Sequence, residues 1–402
     1  MTSSHPAAPA GQRTVRRHNA ALVLRAIADT PGLSRAEVAT RTGLTKATVS
    51  SLVERLMNGG LVAEAGPAPR NGPGRRGAAL SLSPAGPHGL GVEIGVDYLA
   101  TCLVDLTGTP RGQWVSEADN RTEPAAAVLD RAAGAVRACL AEAARLGVRA
   151  GGVGVALPGL VEAGTGTLRV APNLGWHDID IPAALRARVD LGTLPVLPGN
   201  EANFAALAEL WAGGPHDYVH VSGEIGIGAG IVIDGTLFEG VRGFGGELGH
   251  FAVDPGGPEC PCGARGCLER LAGQEAVLRR AGVPLEGRPS QLLDELIRRL
   301  EAGQPAALEA TADAGHWLGV ALADVVNLLD VPTVVLGGAY ARLHPWLAGP
   351  LAERLRARVM SASFAPVRVL RSALGGEAAA RGAAGAAVRA ILADPESFVD
   401  AG

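Results

Sequence analysis

The sequence predicts an α/β protein in which a small winged helix-turn-helix head precedes two lobes of related design. Three observations predict it. After Gly89 a three-stranded meander followed by alternating helices and strands occurs twice. Before it, three short stretches carry apolar residues at helical spacing, with caps and turn glycines between them. The composition, 47% hydrophobic with 56 glycines in 402 residues, fits a packed α/β protein rather than a disordered chain. That length suffices for two or three domains.

Composition narrows the function class. No apolar run reaches the ~20 residues needed to span a bilayer, so no membrane partner is expected. The N-terminus lacks a charged-then-apolar signal pattern, and a metal-like cysteine cluster suits a reducing compartment, so a cytoplasmic location is expected. The net charge of −4 hides an asymmetry. Residues 1–80 carry eleven Arg or Lys against four Asp or Glu, a net of +7, which leaves −11 on the remainder. A basic head on an acidic body points to a polyanion as the partner of the head.

In order along the chain, residues 1–14 are rich in Ala, Pro and Ser and are expected to be a disordered tail, with the head at 15–84. Leu22, Val23, Ala26 and Ile27 recur at helical spacing within Arg16–Asp29, and Pro31-Gly32 stops that helix. Ser34 with Glu37 forms a capping box for a second helix to about Thr40. Gly43 supplies a turn, and Thr45 caps a third helix to about Asn58. The stretch from Ser34 to Val62 reads as a helix-turn-helix whose third helix packs through Leu44, Val49, Leu52, Val53 and Leu56. That packing turns Thr45, Lys46, Ala47, Thr48 and Ser50 outward at the helix N-terminus, the end that enters a major groove; Arg35 joins them as a candidate DNA contact. Leu61–Glu64 and Ala78–Ser83 read as strands joined by a Gly, Pro and Arg loop, the pattern of a wing. Arg70, Arg75 and Arg76 on that loop suit a narrow minor groove.

The body is expected at 85–402. GLGVEIGVD, ATCLVDL and QWVSEA read as the first meander, and Pro124–Leu146 as a helix. GGVGVAL and PVLPGN are buried strands, Glu201–Trp211 is helical, and YVHVSG with GAGIVIDG opens the second series. Helices at about 305–328 and 345–358, the strand TVVLGG and a helix from 376 complete it.

The stretch GFGGELGHFAVDPGGPECPCGARGCLE, from Gly243 to Glu269, carries the strongest chemical signal. His250, Cys260, Cys262 and Cys267 are four ligands within eighteen residues of Gly- and Pro-rich chain. Zinc takes four N or S ligands in a tetrahedron, and a Cys₃His set meets that demand. Nothing marks an open coordination position, so the site reads as structural zinc. Cys102 and Cys139 read as ordinary core residues.

GGELGH followed by CPCGARGCLE resembles the ROK family of repressors, open reading frames and kinases, and the resemblance runs from about Arg16 to the C-terminus. It implies an actin-like, ribonuclease H-like pair of lobes at about 88–198 and 199–380, with a C-terminal helix at 376–393. It also implies a sugar pocket. Asn200, Glu201, Glu247, His250 and Glu269 match hexose-contacting positions of the family, and Gly159 and Asn173 lie in segments similar to two more of its pocket loops. In this reading one His250 nitrogen binds zinc and the other donates to a sugar hydroxyl.

The same resemblance separates sensor from kinase. A ROK kinase carries Asp, then Gly-Gly-Thr, after the first strand; here the place reads Glu93-Ile94-Gly95-Val96-Asp97-Tyr98. The second phosphate motif, Gly-Thr-Gly-x-Gly, reads Gly223-Glu224-Ile225-Gly226-Ile227-Gly228. A carboxylate at Glu224 would face phosphate, and two like charges ~4 Å apart cost about 1–4 kcal/mol near a surface. Glu201 stands where kinases use Asp. The expectation is a non-enzymatic, sugar-responsive transcriptional repressor. Its partners would be operator DNA and a monosaccharide or sugar-phosphate effector, and it would work as a homodimer or homotetramer. The alternatives are an active sugar kinase with an added DNA-binding head, and a constitutive DNA-binding protein whose lobes only dimerise.

Overall fold

The computed structural model describes residues 12–67, 77–223 and 226–399. In the head, helices α1 (Gln12–Asp29), α2 (Arg35–Thr42) and α3 (Lys46–Asn58) precede an antiparallel pair, β1 (Val62–Pro67) and β2 (Ala78–Leu82). Local chemistry sets these boundaries. The Ser34 side chain accepts from the Glu37 N–H while the Glu37 carboxylate accepts from the Ser34 N–H at 2.8 Å, a closed capping box. Gly43 ends α2 at φ 72°, a conformation that a side chain would strain. Thr45 caps α3 by accepting from the Thr48 N–H at 3.2 Å. The first helix starts at Gln12, so residues 12–14 are helical where the composition predicts a disordered tail; Gln and Arg are good helix formers and carry α1 back by a turn. Residues 1–11 lie outside the described residues, as do 68–76 with the wing arginines Arg70, Arg75 and Arg76.

The first lobe runs β3 (His88–Ile94), β4 (Tyr98–Val104), β5 (Pro110–Glu117), α4 (Ala125–Arg145), β6 (Ala150–Leu157), β7 (Leu160–Val161), β8 (Thr167–Ala171), β9 (Trp176–Asp180), α5 (Ile181–Arg186) and β10 (Val196–Asn200). Its main sheet has the order β10-β6-β3-β4-β5: an antiparallel meander, β3 to β5, extended by two parallel strands. After α6 (Glu201–Trp211) come β11 (Tyr218–Gly223), β12 (Ile227–Ile233), β13 (Thr236–Leu237), α7 (Leu268–Ala272), α8 (Gln274–Arg280), α9 (Pro289–Glu301), α10 (Pro305–Leu329), β14 (Thr333–Gly337), α11 (Gly338–Arg358) and β15 (Arg368–Arg371). The second sheet, β13-β12-β11-β14-β15, repeats the plan of the first: a meander extended by two parallel strands. The duplicated pattern in the sequence is thus a duplicated topology. α12 (Ala378–Ala393) and α13 (Glu396–Val399) close the chain.

Three features depart from the sequence reading. The small sheet β7-β8-β9 and the helices α7 to α9 stand where it assigns nothing. And α11 starts at Gly338, seven residues before Pro345, and keeps both Pro345 and Pro350 inside. Proline in a helix interior forfeits a hydrogen bond. Burial of Ala339, Tyr340, Ala341 and Leu343 ahead of Pro345 offsets that loss.

α12 holds the architecture together. It lies against the first sheet so closely that a Cβ at Gly89, Gly91 or Gly154 would sit 2.1, 1.9 or 2.0 Å from a carbonyl oxygen of the helix. On its other side a Cβ at Gly382 would sit 1.8 Å from the Phe204 carbonyl oxygen of α6. Ala and Gly on both surfaces allow this approach. Further along, Ala384, Val388, Ile391 and Leu392 share one buried cluster with Ala20, Val23, Leu24 and Ile27 of α1. The head is therefore seated on the body through a continuous core.

Candidate functional site

A cleft between the lobes encloses about 160 Å³, several times the ~30 Å³ share of one water, so a small solute fits. Gly159, Asn173, Asn200, Glu201, Glu247, His250 and Glu269 all line it. These residues come from both lobes and from positions up to 110 apart in sequence (159 to 269).

Each side chain is held by the local fold. Asn200 is the N-cap of α6: its Oδ1 accepts from Ala202 and Asn203 N–H at 2.9 and 3.2 Å, and its Nδ2 donates to the Gly159 carbonyl at 3.1 Å. Most of its hydrogen-bonding capacity thus ties the Gly159 loop to the helix, leaving one amide hydrogen for a ligand. Glu269, in the first turn of α7, accepts from the Ile227 N–H at 3.2 Å. Glu269 and Asn173 converge over Gly226, where a Cβ would lie 2.6 Å from Glu269 Oε2 and 3.2 Å from Asn173 Nδ2. A side chain there would push Glu269 from this position. Glu247 is exposed at the rim of the cleft, yet desolvation of its carboxyl raises its pKa, with His250 opposing the rise and the Glu269 carboxylate adding to it. Carboxylates and amides fixed on rigid backbone match a polyhydroxylated ligand, whose hydroxyls both donate and accept.

Another wall of the cleft is the hairpin between β3 and β4. Asn120, fully buried, fixes its shape by donating to the carbonyls of Gly95 and Tyr98 at 2.7 and 3.0 Å. The Tyr98 ring lies over Gly95, 2.5 Å from where a Cβ would be. Its hydroxyl donates to Glu93 Oε1, and Glu93 Oε2 accepts from the Ala380 N–H of α12 at 3.1 Å. Glu93 is 3% exposed, and burial pushes its pKa up to about 7 against those two hydrogen bonds. Burial also raises Asp97. Glu224 and Ile225 lie outside the described residues.

In the cleft wall, the Sγ atoms of Cys260, Cys262 and Cys267 and a ring nitrogen of His250 lie within 4.8 Å of one another. Cys260 Sγ is 3.8 Å from His250 Nδ1, and Cys262 Sγ is 3.7 Å from Cys267 Sγ. A tetrahedron with ~2.3 Å metal–sulfur bonds has edges of roughly 3.8 Å, so the cluster fits a metal ion. The loop's geometry depends on glycine: at Gly266, φ 65°, a Cβ would fall 1.5 Å from the Asp254 carbonyl oxygen. Burial pushes the Cys267 thiol up to about 12 and raises Cys260 as well, whereas the backbone hydrogen bond from Ala264 lowers Cys262, so Cys260 and Cys267 are the two whose thiolates a cation would have to stabilise. Cys102 and Cys139 are buried elsewhere.

On the head, Thr45, Lys46 and Ala47 are exposed at the start of α3, with Thr48 and Ser50 half-buried beside them. The Thr45 and Thr48 hydroxyls are 2.9 Å apart. Arg35 is drawn away from this group: it pairs with Glu64 of β1 at 2.7 Å. Arg75 and Arg76 lie outside the described residues.

The ROK family model matches residues 89–390. The chain belongs to the ROK family. A MarR family model matches residues 16–72 of this ROK protein, the winged head. The xylose repressor of Bacillus subtilis (strain 168) is 31% identical over 378 residues, covering 93% of this chain and 95% of the repressor. Among solved structures, a ROK family transcriptional regulator described as a homolog of E. coli MLC protein superposes with TM-score 0.79 at 24% identity, over 96% of this chain and 100% of that one. A ROK family glucokinase from Streptomyces griseus, solved with glucose and AMPPNP, superposes with TM-score 0.65 at 27% identity, over 75% of this chain and 99% of the enzyme. The ROK fold is therefore joined here to a MarR-type winged helix.

Sequence reasoning passed over one polar residue of this ROK protein near the cleft. Asn203 is 6% exposed, and its Oδ1 has no hydrogen-bond partner among the described residues. A Cβ at Gly246, next to Glu247, would lie 4.0 Å from it. Its spacing of three from Asn200 on α6 carries the signal, since it places Asn203 beside the cap.

Proposed function

We propose that the protein is a sugar-responsive, DNA-binding transcriptional repressor of carbohydrate-metabolism genes. One observation carries the reading: a polar cleft assembled from both lobes is connected by α12 to the core on which a winged head sits. A ligand that draws the lobes together acts on the same body that seats the head, and a coupling of about 1–3 kcal/mol changes DNA affinity 5–150-fold. The ligand is a monosaccharide or sugar phosphate. Xylose is the first to test, because a relative similar over nearly its whole length is named a xylose repressor. Asn173, Glu201, Glu247, His250 and Glu269 supply the hydroxyl contacts, and Asn200 and Gly159 shape the wall. Thr45, Lys46, Ala47, Thr48 and Ser50 face the major groove, with Arg75 and Arg76 on the wing and Arg35 supporting from α2. Paired heads on an inverted repeat require a homodimer or homotetramer. The protein works in the cytoplasm; no described helix is long and apolar enough to cross a membrane.

The metal is structural zinc held by His250, Cys260, Cys262 and Cys267. Bound there, it would pin the cleft wall and fix the His250 tautomer, with Nδ1 on the cysteine side and Nε2 available to the sugar.

The kinase reading is set aside because Tyr98 packs on Gly95 and bonds Glu93 where the family's first phosphate loop runs. Glu201 in place of Asp adds a methylene, and a misplacement of ~1 Å can cost ~100-fold in transfer. The test uses a DNA site selected from a random pool, with affinity measured by anisotropy with and without xylose, glucose, N-acetylglucosamine and their phosphates. At least a fivefold shift with one sugar is expected; unchanged affinity with all of them sinks the regulatory reading. ADP release above about 1 s⁻¹ with any of these sugars restores the kinase.

A further inference from the structure

Glu93 is one of the most deeply buried carboxyls in the chain, and it lies at the cleft rather than in a structural ion pair. Its two oxygens face two different elements. One accepts from Tyr98, whose side chain lines the cleft; the other accepts from the third N–H of α12, at Ala380. A helix N-terminus leaves its first N–H groups without partners in the helix, so this contact both satisfies an orphan donor and favours negative charge there. Sixteen residues of α12 then run from the cleft to the head. The far end is tied to the DNA-binding helices at three points. Arg17 of α1 pairs with Asp394, Arg55 of α3 pairs with Glu396 at 2.8 Å, and Val399 packs on Gly59 at the end of α3. Between those ends, Ala380, Ala383 and Ala384 of α12 lie in backbone contact with glycines of β3 and β6, while Gly385 meets the Trp211 ring of α6 and Ile391 meets Gly151.

We propose that Tyr98 and Glu93 are the positioning residues that convert occupancy of the cleft into a displacement of α12, and through it of α3 in the head. This rests on the sugar-responsive reading above. A ligand that shifts Tyr98 re-aims Glu93, and with it the hydrogen bond by which Glu93 holds the first turn of α12. The helix then moves as a body, because its first half meets β3, β6 and α6 mostly through alanine and glycine, while Val388, Ile391 and Leu392 tie its second half to the head. A displacement at Asp394 to Val399 re-aims the recognition helix directly.

The experiment uses the full chain and the selected DNA site. The readout is the ratio of DNA affinities with saturating sugar and without sugar, so changes in sugar affinity drop out. Wild type gives a ratio of at least five. Tyr98→Phe keeps the ring over Gly95 but loses the hydroxyl, and the ratio is expected to fall below two. Glu93→Gln is the conservative variant: its carbonyl accepts from Ala380 and its amide donates to the Tyr98 oxygen, so at least half of the wild-type ratio is expected to remain. Hydrogen exchange at Ala380 is expected to quicken on adding sugar to wild type and not to change in Tyr98→Phe. A purely structural role lowers the melting temperature of both variants and leaves the ratio intact; a Tyr98→Phe ratio equal to wild type overturns the proposal. If wild type itself shows no ratio with any sugar, the regulatory reading fails instead.

Discussion

His220 and Glu93 are two buried ionisable residues whose burial acts in opposite directions. His220, on β11, is fully buried, and neither ring nitrogen has a partner among the described residues. Desolvation lowers its pKa to about 4 from a model-compound 6.5. The unfolded chain therefore binds the proton more tightly between those values, and stability is lost as pH falls from 6.5 toward 4. Glu93 is the reverse: its pKa is raised to about 7 from 4.5, so its contribution is fully present below 4.5 and is lost as pH rises through 7. Each slope amounts to about 3 kcal/mol at most, from ~1.4 kcal/mol per unit. Across pH 4.5–6.5 they offset each other in wild type. Glu93→Gln is expected to leave stability rising with pH across this window relative to wild type, and His220→Leu to leave it falling. Urea midpoints at pH 4.5, 5.5 and 6.5, read as differences from wild type, test both signs. At this scale the sequence is legible only where partners are near in the chain. Ser34 and Glu37 are three apart and their capping box is readable from spacing; Glu93 and Ala380 are 287 apart, and no local pattern announces them.

Among the elements, the metal loop and α9 show what a spacing rule can and cannot convey. The convergence of His250, Cys260, Cys262 and Cys267 was readable because residue types that suit a metal and glycine-rich turns restrict each other within one short loop. The same is true of α9 in principle: Pro289 opens it, and Leu293, Leu296, Ile297 and Leu300 recur at helical spacing. The strands β7 and β9 offered no such signal, since one is two residues long and the other has a single buried residue. The loop also yields a prediction. Leu248 to His250 form one turn whose neighbours Glu247 and Glu269 both face the cleft, so loosening the metal cluster is expected to loosen the pocket wall. Cys262→Ser removes the exposed ligand without opening a cavity in the core. Metal content and sugar affinity are expected to fall together, the latter by about tenfold or more, as for a change in groups that orient a metal site. Atomic absorption and calorimetry on the same preparation check it. Full sugar affinity in a metal-free sample would break the link between the two.

For the whole molecule, the question is how a head built like a free-standing DNA-binding module is mounted on a sugar-binding body. A flexible tether would let the head average over orientations and blunt any signal from the cleft. The structure instead seats it on α12 and the back of the first sheet, where Ala100, Cys102 and Val104 of β4 join the head's own core. The ion pairs at the end of α12 are partly exposed, Arg17 at 61% and Arg55 at 34% of their side chains, and pairs of that kind each contribute ~0–1 kcal/mol. The apolar cluster must therefore supply most of the docking energy, with the terminal pairs setting orientation. Removing residues 394–402 takes away the terminal contacts and leaves most of the apolar cluster. It deletes Asp394, Glu396 and the Phe398 and Val399 side chains that pack against the cluster, while leaving Val388, Ile391 and Leu392 in place. The head is expected to stay folded and attached, so the melting temperature falls by only a few degrees, in line with ~1 kcal/mol in a chain of this size. Sugar affinity should be unchanged, because no cleft residue is touched. The ratio of DNA affinities with and without sugar should shrink, and amides of α1 and α3 should exchange faster. A truncated chain with an undiminished ratio would mean that orientation is fixed by the apolar core alone, and that the charged end of α12 carries no signal.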